Sequence, residues 1–220
     1  MSDVAALEPG SVDAIVIGAS AGGVEAIGQL LPSLPADLRA VVIVVLHLPR
    51  ERPSLLVDIF QPKCARPVVE AEDKAPAVPG TVYLAPPDYH LLVDAGPRLA
   101  LSADEPVHYS RPSIDVLFES AADVFGARLV AMLLTGANED GAAGTAAAQR
   151  AGAVTVVQRP DDAQVALMPQ AALRLFEPSR VLPLDGIAAL LATLSPAAAA
   201  SARSDERRAP GTLRAVGARR

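Results

Sequence analysis

The chain of 220 residues is 51% hydrophobic and 20% charged, which excludes a disordered polypeptide and provides enough apolar surface for a sizeable core. Its formal net charge is −6, and residues 195–220 hold six Arg against Asp205 and Glu206. The body, residues 1–194, therefore carries −10, which argues against a nucleic-acid channel. Cys64 is the only cysteine and the three histidines (His47, His90, His108) are widely spaced, so neither a disulfide framework nor a metal cluster is expected.

The first residues, MSDVAALEPG, lack a basic n-region, and no apolar run reaches the roughly 18 residues a spanning helix needs. A cytoplasmic location without membrane insertion is expected. From residue 12 onward, β-rich runs alternate with helical patterns. Val12–Ile17 precedes Val24–Leu34, and Val41–Leu46 precedes Ser54–Phe60. Further on, Arg128–Leu134 precedes Ala142–Arg150, and Val154–Val157 precedes Val165–Leu175. This rhythm predicts an α/β fold, doubly wound, with a mostly parallel sheet and helices on both faces. The uninterrupted runs VVIVVL and LVAMLL fit strands buried on both sides. Between about Pro67 and Leu101, short strands broken by PG, PPD and DAG predict an antiparallel β-hairpin at one edge of the sheet. The expected division is an N-terminal extension over residues 1–11, one domain over 12–194, and a disordered Ala/Arg-rich tail over 195–220.

Ligands of open α/β sheets bind beyond the carboxyl ends of the strands. There the sequence places Ser20, in Gly18-Ala19-Ser20-Ala21-Gly22-Gly23, then His47 after VVIVVL, and Asp140 in the segment TGANEDG after LVAMLL. A hydroxyl nucleophile, an imidazole that takes and returns a proton near neutrality, and a carboxylate that fixes its tautomer are the parts of an acyl-transfer site. The turn matches G-x-S-x-G, and the amides of Ala21 and Gly22 at the following helix start could receive an oxyanion. Each motif also has a plainer reading. The Gly-rich turn could bind phosphate or simply be tight, although neither G-x-G-x-x-G nor G-K-[ST] is present. His47 could bond to backbone, and Asp140 could cap the helix Ala142–Arg150. His90 and His108 read as structural or surface residues, Arg111 as a surface ion pair or an attractor of acidic segments, and Cys64 as a bystander thiol.

Several long blocks together carry a more specific signal: IVIGASAGGVEAI, VVLHLP, VEAEDKAPAVPGTVYLAPPDYHLLV, HYSRPSIDVLFESAADVFGARLVAMLLTGANEDGAAGTAAAQRAGAVTVVQ and ALMPQAAL. Over about Asp13 to Leu194 the chain resembles the catalytic domain of the CheB-type protein-glutamate methylesterases of bacterial chemotaxis. The resemblance implies a serine hydrolase that demethylates glutamate methyl esters on the cytoplasmic helices of chemoreceptors and can also deamidate receptor glutamines. It needs no cofactor, with Ser20 as nucleophile, His47 as general base and acid, and Asp140 as the orienting carboxylate. Met168, in the ALMPQAAL block, would lie near the pocket. Two positions depart from the family pattern: Ala21 stands where Thr is usual, and Ala137 where Met is usual, with Glu139 adding a charge beside Asp140. The resemblance also lacks the family's receiver domain, so phosphorylation within the chain is not expected to control it, and any control is expected from a separate regulatory protein or from substrate availability. A catalytically weakened binding or regulatory module of this fold, and a nucleotide-binding α/β protein, are the alternative readings.

Overall fold

The computed structural model describes residues 11–48 and 54–194; the expected tail and residues 1–10 lie outside the described residues. Seven strands form one sheet in the order β3-β4-β2-β1-β7-β8-β9, and every adjacent pair runs parallel. They are β1 (Ala14–Ala19), β2 (Val41–Leu46), β3 (Val68–Glu70), β4 (Val82–Leu84), β7 (Leu129–Leu133), β8 (Val154–Gln158) and β9 (Arg180–Leu182). β1, β2 and β7 are buried at every position, as their unbroken β-branched and aliphatic runs require when helices cover both faces.

The period-two alternation of side chains sorts each strand between two cores. Ile15 and Ile17 of β1 point to a core shared with α1 (Gly23–Leu30), α2 (Leu56–Phe60) and α6 (Leu184–Ala192). Ala14 and Val16 point to the opposite core, built with α3 (Ile114–Phe125), α4 (Ala142–Arg150) and α5 (Leu167–Leu175). α3 follows from its sequence: Ile114, Leu117, Phe118, Ala121, Ala122 and Phe125 are buried at helical spacing, and Ser113 is its N-cap. Chain order moves outward from β1 through β2 on one side and through β7, β8 and β9 on the other. The winding therefore reverses between β1 and β7, and the loops beyond those two strands frame a crevice of the kind in which α/β proteins bind ligands.

The fold class is as expected, but the hairpin is not where the sequence suggested. β5 (His90–Asp94) and β6 (Arg98–Ser102) form a separate antiparallel pair, and they do not extend the large sheet. Leu91, Val93 and Leu99 insert into the α3-side core, and Val93 N–H donates to Ser120 Oγ of α3 at 3.1 Å. The preceding segment, expected in the same antiparallel unit, supplies β4, which lies inside the large sheet between β3 and β2. Turn composition identified the reversal at Asp94–Arg98, but the layer on which it packs depends on contacts with α3 that no local pattern encodes.

Candidate active site

β1 and β2 pair in register up to Ala19 opposite Leu46, so the next residues, Ser20 and His47, leave the sheet side by side. The ladder continues one step beyond the strands, with His47 N–H donating to Ala19 O at 3.2 Å. The chain turns sharply after Ser20: Gly23 N–H returns to Ser20 O at 2.8 Å, and Gly22 takes φ +80°. A side chain at 22 would be strained in that conformation and would also meet Gln164. At Gly23 the limit is space, because a Cβ would come within 2.4 Å of Leu46 Cδ1 and 2.7 Å of Ala19 Cβ. These two glycines let α1 start directly against the sheet and leave Ser20 half-buried at the crevice.

Asp140 reaches the imidazole from the loop after β7. His47 Nε2–H donates to Asp140 Oδ2 at 2.8 Å, across 93 residues of chain. The carboxylate is fully buried and accepts three further bonds, all from the first turn of α3. Ile114 N–H donates to Oδ2 at 2.7 Å, Ser113 Oγ to Oδ1 at 2.8 Å and Asp115 N–H to Oδ1 at 3.1 Å. Burial alone would raise its pKa, but the bonds from His47, Ile114, Asp115 and Ser113 outweigh it and hold the carboxyl below its usual range. Asp140 is therefore a charged acceptor at the positive end of a helix. It does sit at a helix start, but that of α3; the N-cap of α4 is Gly141, with no side-chain cap.

With Nε2 committed to Asp140, the proton-accepting nitrogen of neutral His47 is Nδ1. Ser110 Oγ lies 3.5 Å from that nitrogen and accepts a bond from Asn138 Nδ2 at 3.3 Å. Arg111 fixes the Ser110 segment: its guanidinium donates to Asp88 Oδ1 at 2.7 and 3.0 Å and to the carbonyls of Ala103 and Asp104 at 2.7 and 3.0 Å. The structure thus gives Arg111 a bracing part within the chain. His90 is buried, donating from Nε2 to Glu105 O and accepting Ser113 N–H at Nδ1, both at 3.1 Å. It braces the helix start that grips Asp140.

His108 lies close to two carboxylates, 3.5 Å from Asp115 Oδ2 and 3.5 Å from Glu139 Oε1. Burial pushes the Asp115 carboxyl up to about 6 against the lowering effect of a 2.6 Å bond from Gly144 N–H, and the nearby charge of Asp140 adds to the rise. Ala21 and Ala137 are both exposed. Met168, expected near the pocket, is fully buried against Gly136 and supports the loop after β7 from beneath. Cys64 is buried and burial raises its pKa, as befits an inert thiol.

Two clefts flank these loops. One of about 240 Å³ is lined by His108, Glu139, Ala142, Ala143, Arg174 and Leu175. The other, of about 320 Å³, runs beside the Ser20 turn past Gly22, Glu25, Thr135, Gln158 and Gln164. Among the described residues no group of three or more His, Cys, Asp or Glu side chains is placed to hold a metal ion, and no helix is long and apolar enough to cross a membrane.

Comparison with known proteins finds related chains and a related fold. A protein of Leptospira interrogans is 41% identical over 182 residues, covering 83% of this chain and 94% of its own length. The protein-glutamate methylesterase/protein-glutamine glutaminase of Symbiobacterium thermophilum is 41% identical over 174 residues, covering 79% of this chain. The chain spans 48% of that relative and 52% of its counterpart from Bordetella parapertussis. The crystal structure of the Thermotoga maritima CheB methylesterase catalytic domain superimposes with a TM-score of 0.79 at 29% identity, covering 83% of this chain and 98% of that one. The model of the CheB methylesterase family matches residues 15–191, which is most of the chain. On that match and the shared fold, the chain belongs to the CheB methylesterase family.

Proposed function

We propose that the chain hydrolyses γ-methyl esters of glutamate on the cytoplasmic helices of chemoreceptors, releasing methanol, with Ser20, His47 and Asp140 as its catalytic residues. The observation that carries this reading is the 2.8 Å bond from His47 Nε2 to a buried, charged Asp140, next to a serine on the adjoining strand end. That bond fixes the tautomer in which Nδ1 can accept a proton. Ser20 Oγ attacks the ester carbonyl while Nδ1 takes its proton, and the resulting imidazolium is stabilised by Asp140. Collapse of the tetrahedral intermediate returns the proton to the departing methoxide and leaves an acyl-serine. A water molecule, deprotonated by the same nitrogen, then releases the glutamate carboxylate and restores Ser20. Glutamine side chains follow the same route with ammonia as the leaving group.

The amides of Ala21 and Gly22 have no backbone or side-chain acceptor among the described residues, which suits them to the developing oxyanion. No observation favours the weakened-module or nucleotide-binding alternatives. The decisive measurement is methanol release from methylated receptor cytoplasmic fragments by the purified protein. Release abolished by Ser20→Ala, in a variant that still folds, is the expected result. Release that persists in that variant overturns the assignment.

A further inference from the structure

Thr135 stands two residues beyond β7, buried to 1% exposure, and each of its polar groups is used. Its carbonyl accepts Ser20 N–H at 3.0 Å. Its hydroxyl donates to Ala21 O at 2.8 Å and accepts Val165 N–H at 2.9 Å. Its own N–H donates to Gln158 Oε1 at 2.9 Å, and Gln158 is held in turn by Asp162, Nε2 to Oδ2, at 2.9 Å. The strand end after β7 therefore grips the Ala19–Ser20 and Ala21–Gly22 peptides, one on each side of the Ser20–Ala21 peptide.

The consequences concern the amides. The N–H of Ser20 is consumed by Thr135 and cannot serve an oxyanion. The peptide joining Ala21 to Gly22 is planar and trans, so its C=O and N–H point in opposite directions. Tying the Ala21 carbonyl to the Thr135 hydroxyl therefore turns the Gly22 N–H away from β7. Gly22 places little restriction of its own on this peptide, because glycine populates positive φ without steric cost, so the orientation has to be imposed from outside the turn. A free Ala21–Gly22 peptide could flip and present a carbonyl where an amide is required.

We propose that the Thr135 hydroxyl is a positioning group that locks the Ala21–Gly22 peptide and so presets the amide donor for the tetrahedral intermediate. This rests on the assignment of Ser20 as nucleophile. Thr135 touches no reacting atom; it acts through the turn.

The test compares Thr135→Val, which keeps the shape and deletes the hydroxyl, with Thr135→Ser, which keeps the hydroxyl. Each is assayed on a small carboxylic ester and for its rate of labelling by a fluorophosphonate. T135V is expected to lower kcat about 10- to 100-fold with KM changed less than about threefold, in line with the effect of a misplaced catalytic group. Its labelling rate should fall in parallel, because phosphonylation also builds negative charge at the same oxygen. The acid limb of its pH profile should not move, since the His47–Asp140 bond is untouched, and T135S should restore most of the rate. A folded T135V with wild-type kcat, or a T135S as slow as T135V, overturns the proposal. If T135V does not fold, Thr135→Cys replaces it, because a thiol is a weaker donor of similar size; wild-type kcat in that variant is equally damaging. Ser20→Ala in the same assays separates the two levels. Activity surviving there removes the nucleophile assignment, whereas loss there with an indifferent T135V removes only the part given to Thr135.

Discussion

Replacing Asp140 by Asn tests how the carboxylate works, because the amide retains the shape while turning one acceptor into a donor. The four bonds divide evenly. Oδ2 serves His47 and Ile114 N–H at 2.8 and 2.7 Å, and Oδ1 serves Ser113 and Asp115 N–H at 2.8 and 3.1 Å. If the NH2 group took the Oδ2 position it would face a backbone N–H at 2.7 Å and force His47 into the opposite tautomer, leaving Nδ1 protonated and useless as a base. In the Oδ1 position it would oppose only the longest of the four bonds, and the Ser113 hydroxyl could rotate to accept from it. The second orientation is the less costly, and it preserves the tautomer while removing the charge. The expected loss in kcat is then that of an unneutralised imidazolium, roughly 4 kcal/mol for unit charges about 4 Å apart at an effective dielectric near 20. That corresponds to about 10³-fold. One orphaned buried N–H and weaker remaining bonds should lower stability by about 2–4 kcal/mol, read from urea denaturation. Ester hydrolysis by D140N within tenfold of wild type would refute the role given to Asp140. A loss of 10⁴-fold or more in a folded variant would show that the amide had taken the other orientation.

Asp115 should give stability a pH dependence opposite to that of Asp140. Its folded pKa is raised from 3.8 to about 6, so the native state binds the proton more tightly; the contribution is full below about 4 and is lost as pH rises through about 6. The stability of Asp115→Asn relative to wild type should therefore improve between pH 4 and pH 7, by on the order of 2 kcal/mol, and a difference independent of pH in urea melts would be inconsistent with this. Asp140, with its lowered pKa, contributes stability above the ordinary carboxylate range that disappears on acidification through its folded pKa. Gly144→Ala would place a Cβ 2.8 Å from Asp115 Cα and 2.9 Å from Phe118 Cβ, prising α4 from α3; a loss of about 1–3 kcal/mol is expected, and an unchanged Tm would contradict it.

The parts of the site that could be read from the sequence are those that local pattern marks. Unbroken runs at residues 41–46 and 129–133 identified buried parallel strands, and the residues just past such strands had to include any ligand-facing groups. Ser20, His47 and Asp140 follow from that rule. What was missed is tertiary. Ser113 and the helical spacing of Ile114, Leu117 and Phe118 announce a capped helix, but nothing near them in sequence shows that its first turn grips a carboxylate 25 to 27 residues away. Ser110 and Thr135 lacked any chemical signature, since a lone hydroxyl reads as a loop or strand-end residue until its partners are known. The reversal between β5 and β6 is legible and the layer on which the pair packs is not, for the same reason: turns are encoded locally and layers are not.

The central position of β1 also bears on the order of events during synthesis. Its two neighbours come from distant parts of the chain: β2 follows within about thirty residues, whereas β7 begins only at Leu129. A chain emerging amino end first can thus pair one side of β1 early, while the other side presents unpaired backbone and apolar residues until more than half the domain has been made. The hydrolytic groups are divided in the same way, with the carboxylate arriving 93 residues after the imidazole it orients. A nascent fragment can therefore hold the serine and histidine on adjoining strands and still lack the partner that sets the tautomer. Pairing of β7 on β1 and assembly of the site therefore come late together, so reactivity at Ser20 toward an acylating probe reports that the chain through β7 and Asp140 has reached its native arrangement.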